Sequence, residues 1–410
     1  MSKKFKIFMI YRIFSSLIFT RGIFLLFLLQ EKNMTFLEVS TYQAIFFIST
    51  TLFEIPTGVI GDKFGKVNSL IIGSVLLTVQ TILVLLMPSG NALLLFGCAA
   101  LQALAYTFIS GSDGALLFEI LENEDNKERY LSINARLLSL SSAILGCAIL
   151  IGGIISNYSW QGVYLLTIFT SVMSCLALFF LRDKNELIKK ETSALDDAVA
   201  IKRFNFKNII GSFKVSHLYS FFAFIIGFCI LDGLFATYFN LNQIILEDFK
   251  IENAWIGIFF SALYFISALS YQLATVLHHY FTTKKIMILT LILMAGLFLM
   301  LPLTTNRLLI LLISVLVCFF PEMLYILVDN IIQENITSDY RATILSIISL
   351  ITSLSSSFFY VILGFVHQDY GSKLMINLIG VFVLFSVICF CMMNSQLKIV
   401  VKEEIKDEKM

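Results

Sequence analysis

Stretches of some twenty apolar residues follow one another along almost the whole chain, divided by short polar connectors. A helix rises about 1.5 Å per residue, so roughly twenty residues cross the hydrocarbon core of a bilayer. Spans are expected near residues 6–29, 37–60, 68–87, 92–121, 131–155, 159–181, 216–245, 253–278, 286–302, 307–335, 342–366 and 372–394. The expected fold is an all-α membrane protein, with twelve transmembrane helices in two six-helix pseudo-symmetric bundles. Composition points the same way. The 410 residues are 58% hydrophobic and 14% charged, against about 25% charged in a soluble domain. Such a chain has too few polar groups to cover a water-facing surface. The opening Met1-Ser2-Lys3-Lys4 leads into an apolar run with no small-residue cleavage site, and reads as a first membrane helix.

The connectors alternate in charge. One set holds 22 of the 29 Lys and Arg, including Lys3, Lys4, Lys63, Lys66, Lys127, Arg129, Lys284, Lys285 and Arg341. The other set holds Lys32, Lys250, Arg307 and Lys373. Basic connectors stay in the cytoplasm, so both termini are expected there, in a cell (inner) membrane. An even number of spans requires the same. Residues 182–215 form the longest polar stretch and read as a cytoplasmic linker. It separates an N-terminal bundle, 1–181, from a C-terminal bundle, 216–395, and residues 396–410 read as a charged cytoplasmic tail.

The halves echo each other at an offset of about 211 to 216 residues. Arg21-Gly22-Ile23-Phe24 matches Asp232-Gly233-Leu234-Phe235, and Asp113 with Glu119 matches Asp329 with Glu334. Leu138-Ser139-Leu140-Ser141-Ser142 matches Ile351-Thr352-Ser353-Leu354-Ser355-Ser356. The shared offset implies a duplicated six-helix unit. Parallel repeats with a site at their interface are a transporter architecture.

The stretch after the second span reads Gly58-Val59-Ile60-Gly61-Asp62-Lys63-Phe64-Gly65-Lys66. As a loop, it would use Gly58 for close helix approach and Gly65 for a tight turn. Asp62 would favour a helix N-terminus. The stretch resembles the G-x-x-x-D-[RK]-x-G-[RK] signature of the major facilitator superfamily. The resemblance implies that Asp62, set among Gly58, Lys63, Gly65 and Lys66, latches the two halves on the cytoplasmic side in the outward-facing state. Phe53–Gly58 and Gly111–Leu117 are similar to bacterial drug-exporter-like members. Gly146 through Gly153 in span five carries the Gly pair of the exporter motif without its Pro. The superfamily resemblance also implies a functional monomer.

Charges within spans are costly unless paired or hydrated, so each is a functional candidate. Arg21 and Asp232 occupy equivalent places in the two repeats and are expected to face each other across a central cavity. They would form a structural gate, or Asp232 would serve as a proton or substrate site. Glu322 follows Pro321 near the middle of span ten, and Asp329, seven residues on, shares its helix face. Apolar surroundings favour a neutral carboxyl, which suits an acid that loads and releases protons. Glu322 and Asp232 are therefore the leading proton carriers, with Asp113 a further candidate. Arg12, Glu54, Asp113, Glu119 and Arg136 lie at similar depth. They are expected to form a cytoplasmic-side charge network, either rearranging or statically neutral.

The seven Cys lie singly in apolar runs or as a lone C-x-C, and read as apolar fillers. No phosphate loop, metal-ligand spacing or catalytic triad is present, so no enzyme activity and no cofactor are expected. Net charge of +1 gives no reason to expect a nucleic-acid partner. The expected partners are the lipid bilayer, protons and a small-molecule substrate. The leading reading is alternating-access, proton-coupled export of small lipophilic or amphipathic compounds through an aromatic and aliphatic cavity. The alternative is an importer of a small polar metabolite, proton-coupled or facilitative. It would need amides and Arg in the cavity, with Gln43, Gln102, Asn134, Gln272 and Asn330 as candidates.

Overall fold

A computed structural model of the chain describes residues 2–124, 130–182, 218–335 and 341–391. Among them all regular structure is helical. The helices are α1 (Lys3–Ser16), α2 (Phe24–Gln30), α3 (Phe36–Phe64), α4 (Lys66–Leu86), α5 (Ala92–Glu122), α6 (Tyr130–Ser156) and α7 (Trp160–Leu181). They continue with α8 (Leu218–Asp248), α9 (Asn253–Tyr280), α10 (Thr283–Met300), α11 (Arg307–Asn335) and α12 (Arg341–Cys391). Nine described stretches are long and apolar enough to cross a bilayer. The expected linker and tail lie outside the described residues, apart from Arg182.

Two departures from the expected spans have local causes. The first expected helix is broken: α1 ends at Ser16 and α2 begins at Phe24, leaving Leu17–Ile23 outside regular helix. The last two expected spans run together as α12, interrupted at Gly371, whose φ of 78° is open to glycine. Elsewhere the boundaries carry ordinary caps. Thr35 and Glu38 form a capping box at the start of α3, and Ser159 accepts from the Gly162 N–H at the start of α7. Such caps stabilise by about 1 kcal/mol each. At the end of α4 the Lys32 ammonium donates to the Leu85 and Met87 carbonyls, both at 2.7 Å, where the negative end of the helix dipole favours a cation. Burial pulls this ammonium below the ordinary lysine range, with neighbouring Glu31 opposing.

Packing divides the chain into two units. The described residues of the first come from Met1–Ile201, Asn240–Phe265 and Tyr360–Gln368. It therefore takes in short pieces of α8, α9 and α12. Within it α5 packs on α3 and α4, while α7 packs on α1 and α4. Phe5, Phe8, Leu70, Leu117, Leu137 and Leu178 form a buried core where α1, α4, α5, α6 and α7 meet. Gly153 and Gly257 bring α6 and α9 together: a Cβ on Gly153 would stand 2.7 Å from the Gly257 Cα.

The second unit draws on Lys202–Phe239, Ile266–Phe359 and Asp369–Met410. Here α10 packs on α11. Gly233 of α8 lies against α12, where a Cβ would meet Ser355 Oγ at 2.5 Å. One turn on, Thr237 Oγ1 donates to the Ser356 carbonyl at 3.3 Å. Phe224 of α8 sets its ring edge-on to Phe390 of α12, with centroids 5.2 Å apart.

Candidate functional site

The break in the first span is built from identifiable competitors for the helical hydrogen bonds. Ser15 Oγ and Ser16 Oγ both donate to the Arg12 carbonyl, at 3.1 and 2.7 Å. Hydroxyls that bond back in this way weaken a helix. Thr170 Oγ1 of α7 donates to the Leu17 carbonyl at 2.8 Å. Gly152 of α6 leaves room for the Phe19 carbonyl, which a Cβ would meet at 1.9 Å. From α8, Gln243 Oε1 accepts from the Leu25 N–H at 3.1 Å.

The broken segment forms one wall of a cavity of about 560 Å³ within the first unit. Five carboxamides line it: Gln43, Gln80, Gln102, Asn240 and Gln243. Tyr11, Tyr42, Tyr106 and Tyr164 join them, with many Ser and Thr hydroxyls. Several of these groups are locked in orientation. The buried Tyr42 hydroxyl donates to Gln102 Oε1 and accepts from Gln80 Nε2 at 3.4 Å. Asn240 Nδ2 donates to the Tyr360 hydroxyl at 2.8 Å. Rings of Phe24 and Phe46 lean on Tyr42 and Tyr106, with centroids 5.4 and 5.6 Å apart. Apolar side chains, among them Phe14, Ile18, Phe24, Phe46, Phe47 and Leu145, share the wall with these carboxamides and hydroxyls. Gln43 and Gln102 are among the amides that the sequence offers for such a wall; Gln80, Asn240 and Gln243 join them only in the fold. The available signal was the spacing of Asn240 and Gln243, three apart and so on one helix face. A lone Gln80 in an apolar run was another. Asn134 is half-buried and does not line the cavity, and the side chains of Gln272 and Asn330 lie outside the described ones.

Two of the lining residues are charged, Arg12 and Arg21. Arg12 Nη1 pairs with Asp113 Oδ2. Arg12 Nε and Asp113 Oδ1 are buried without hydrogen-bond partners among the described residues. Glu54 and Arg136 are exposed and Glu119 is half-buried. Arg21 lies in the break rather than within a helix, is exposed, and acts electrostatically on Tyr42 and Tyr360.

The second unit holds Asp232 on α8 and Glu322 on α11. The Asp232 carboxyl is hydrogen-bonded by Thr352 of α12 and lies within the field of Glu322. Pro321 sits inside an α11 that continues through it. The side chain of Asp329 lies outside the described ones, as do those of Asp62 and Lys63.

The stretch from Gly58 to Phe64 is helical, not a loop: it forms the last turns of α3, and Gly65, with φ 86°, makes the turn into α4 at Lys66. A single left-handed residue suffices to reverse the chain, so Asp62 falls near a helix C-terminus instead of an N-terminus. Gly58 also departs from expectation, since a Cβ there would meet nothing within 4 Å. The close approach is at Gly61, where a Cβ would stand 3.2 Å from Ser69 Oγ and 3.4 Å from Ser112 Oγ.

Comparison with known proteins fits this architecture. Over 242 residues the chain is 24% identical to an uncharacterized transporter of Buchnera aphidicola subsp. Schizaphis graminum (strain Sg). That similarity covers 57% of this chain and spans 55% of the relative's length. Among solved structures, the nucleoside transporter NupG superposes with a TM-score of 0.73 at 11% identity, covering 96% of this chain and 100% of that one. A D-xylose-proton symporter gives 0.65 at 13%, covering 96% and 98%. A peptide transporter, POT, gives 0.68 at 13%, covering 95% of each. The profile of the Major Facilitator Superfamily matches residues 7–360, and again residues 223–407. The chain is a multi-pass membrane protein of the Major Facilitator Superfamily.

Proposed function

We propose that this secondary transporter carries a small polar solute by alternating access, driven by protons. The observation that carries the reading is the cavity wall: five carboxamides and four tyrosines, several held in fixed orientation by their neighbours. A buried donor or acceptor left unpaired costs about 1–3 kcal/mol. A wholly lipophilic cargo would leave the remaining donors and acceptors of this wall dry, whereas a hydroxyl- or amide-bearing cargo would pair with them. The carboxamides and tyrosines support a cargo bearing polar groups over a wholly lipophilic one, and uptake is proposed with it. In this reading twelve spans form two six-helix bundles, monomeric in the cell membrane. Both termini and the 182–215 linker lie in the cytoplasm. Asp62 and its neighbours latch that side, with Arg12, Asp113, Glu54, Glu119 and Arg136 behind it. Asp232 and Glu322, two carboxyls in one another's field, load and release the coupling proton, with Arg21 and Asp329 as further charged groups of the pathway.

The test is reconstitution into liposomes with an imposed pH gradient. Radiolabelled uridine, D-xylose and dialanine report polar uptake, and ethidium reports lipophilic export. Accumulation of a polar solute is expected, lost in Asp232→Asn or Glu322→Gln while exchange of that solute across the membrane persists. Ethidium extrusion with no polar uptake would reverse the cargo assignment. Full accumulation in both variants would remove the two acids from coupling.

A further inference from the structure

Gln243 stands where a helical hydrogen bond should be. In a continuous helix the Leu25 N–H would donate to the Arg21 carbonyl, four residues back. Instead, the Gln243 carboxamide reaches in from α8. Its Oε1 accepts from the Leu25 N–H at 3.1 Å. Its Nε2 points to the Arg21 carbonyl at a long 3.5 Å. One side chain thus takes up both ends of a missing backbone bond. Insertion of a side chain into the helical ladder is a recognised cause of sharp breaks. No local group does this work, because the N-cap of α2 is Ile23, which makes no side-chain cap. Gln243 is 3% exposed, so its carboxamide needs these partners or others of the same kind.

We infer that Gln243 is a positioning residue that holds the break open at its α2 end, and that its withdrawal returns Leu25 to Arg21 and extends α2 by about one turn. The Leu25 N–H and the Arg21 carbonyl can be satisfied in two ways, through α8 as observed or directly by one another within the span. Such an element is bistable by construction. Any movement that draws α8 from α2 then reshapes the cavity wall carrying Thr20 and Arg21. Gln243 itself lines that cavity, which puts the switch within reach of whatever fills it.

Hydrogen–deuterium exchange on the full-length protein in detergent tests this. Gln243→Leu removes both hydrogen-bonding ends, and Gln243→Asn shortens the reach by one methylene. In both variants the Leu25 N–H keeps one hydrogen bond, now to the Arg21 carbonyl, and exchange across residues 20–24 is expected to slow about tenfold where a neighbouring N–H gains roughly one well-formed hydrogen bond. Gln243→Glu, measured at a pH that keeps the acid protonated, retains an acceptor for Leu25 and a donor for Arg21 and is expected to exchange as the wild type does. Unchanged or faster exchange across 20–24 in Gln243→Asn, with α4 and α5 still protected, would overturn the inference. That result would make the break intrinsic to the segment and Gln243 only a passive cap. If Gln243→Leu exposes α4 and α5 as well, the Asn and Glu variants alone decide the outcome.

Discussion

Arg12 and Asp113 show what a charge inside a helical bundle demands. Their side chains are 17% and 16% exposed, and one atom of each remains buried without a partner among the described residues. Removing one member of a buried pair leaves an uncompensated charge, at a cost of about 3–5 kcal/mol, while replacing both with apolar groups is often neutral. Asp113→Leu alone should therefore lower the thermal midpoint by far more than Arg12→Met with Asp113→Leu together. A double variant as unstable as the single would contradict the pairing. That these residues would be functional candidates was legible in the sequence, because ionisable groups stand out in apolar runs. Which partner each would take was not, since depth along a helix leaves its facing direction open. The amides were harder still. Gln80 and Gln243 carry no charge, and their importance rests on tertiary partners more than thirty residues away in sequence.

At the scale of elements, helix count and order follow from the rhythm of apolar runs, but the interruption in the first span does not. Leu17–Ile23 contains Thr20, Arg21 and Gly22 but no Pro, and it is held open by groups from α6, α7 and α8. The local hint was Ser15-Ser16, whose hydroxyls compete for the Arg12 carbonyl. The Gly152-Gly153 pair was visible as a motif fragment, but its packing role becomes plain only against Phe19 and Gly257. Glycines of like appearance differ accordingly. Gly152→Ala would press a methyl group into the Phe19 carbonyl, and strain of this kind costs about 1–3 kcal/mol. Gly97 of α5 has open space beside it, and Gly→Ala within a helix gains up to about 1 kcal/mol. Thermal unfolding in detergent should therefore show a lower midpoint for Gly152→Ala and an equal or higher one for Gly97→Ala. Equal destabilisation by the two would mean that the break does not press on α6.

For the whole molecule, the family was legible from span rhythm, alternating connector charge and the Gly58–Lys66 stretch. The family does not dictate the cargo. The proposed polar cargo rests on the cavity wall, whose amides were hidden because they come from α3, α4, α5 and α8, each contributing one or two to a mostly apolar helix. Occupancy of this cavity by a polar solute is therefore the point to measure. Ser142 lines it and is exposed. A single cysteine placed there, Ser142→Cys in a variant without the seven native cysteines, gives a reporter read by its rate of modification with N-ethylmaleimide. The polar compound that the liposomes accumulate is predicted to slow this reaction in a saturable manner, with half-protection near its transport KM. A labelling rate that stays the same at saturating concentrations of the transported compound would contradict the assignment of this cavity to the cargo.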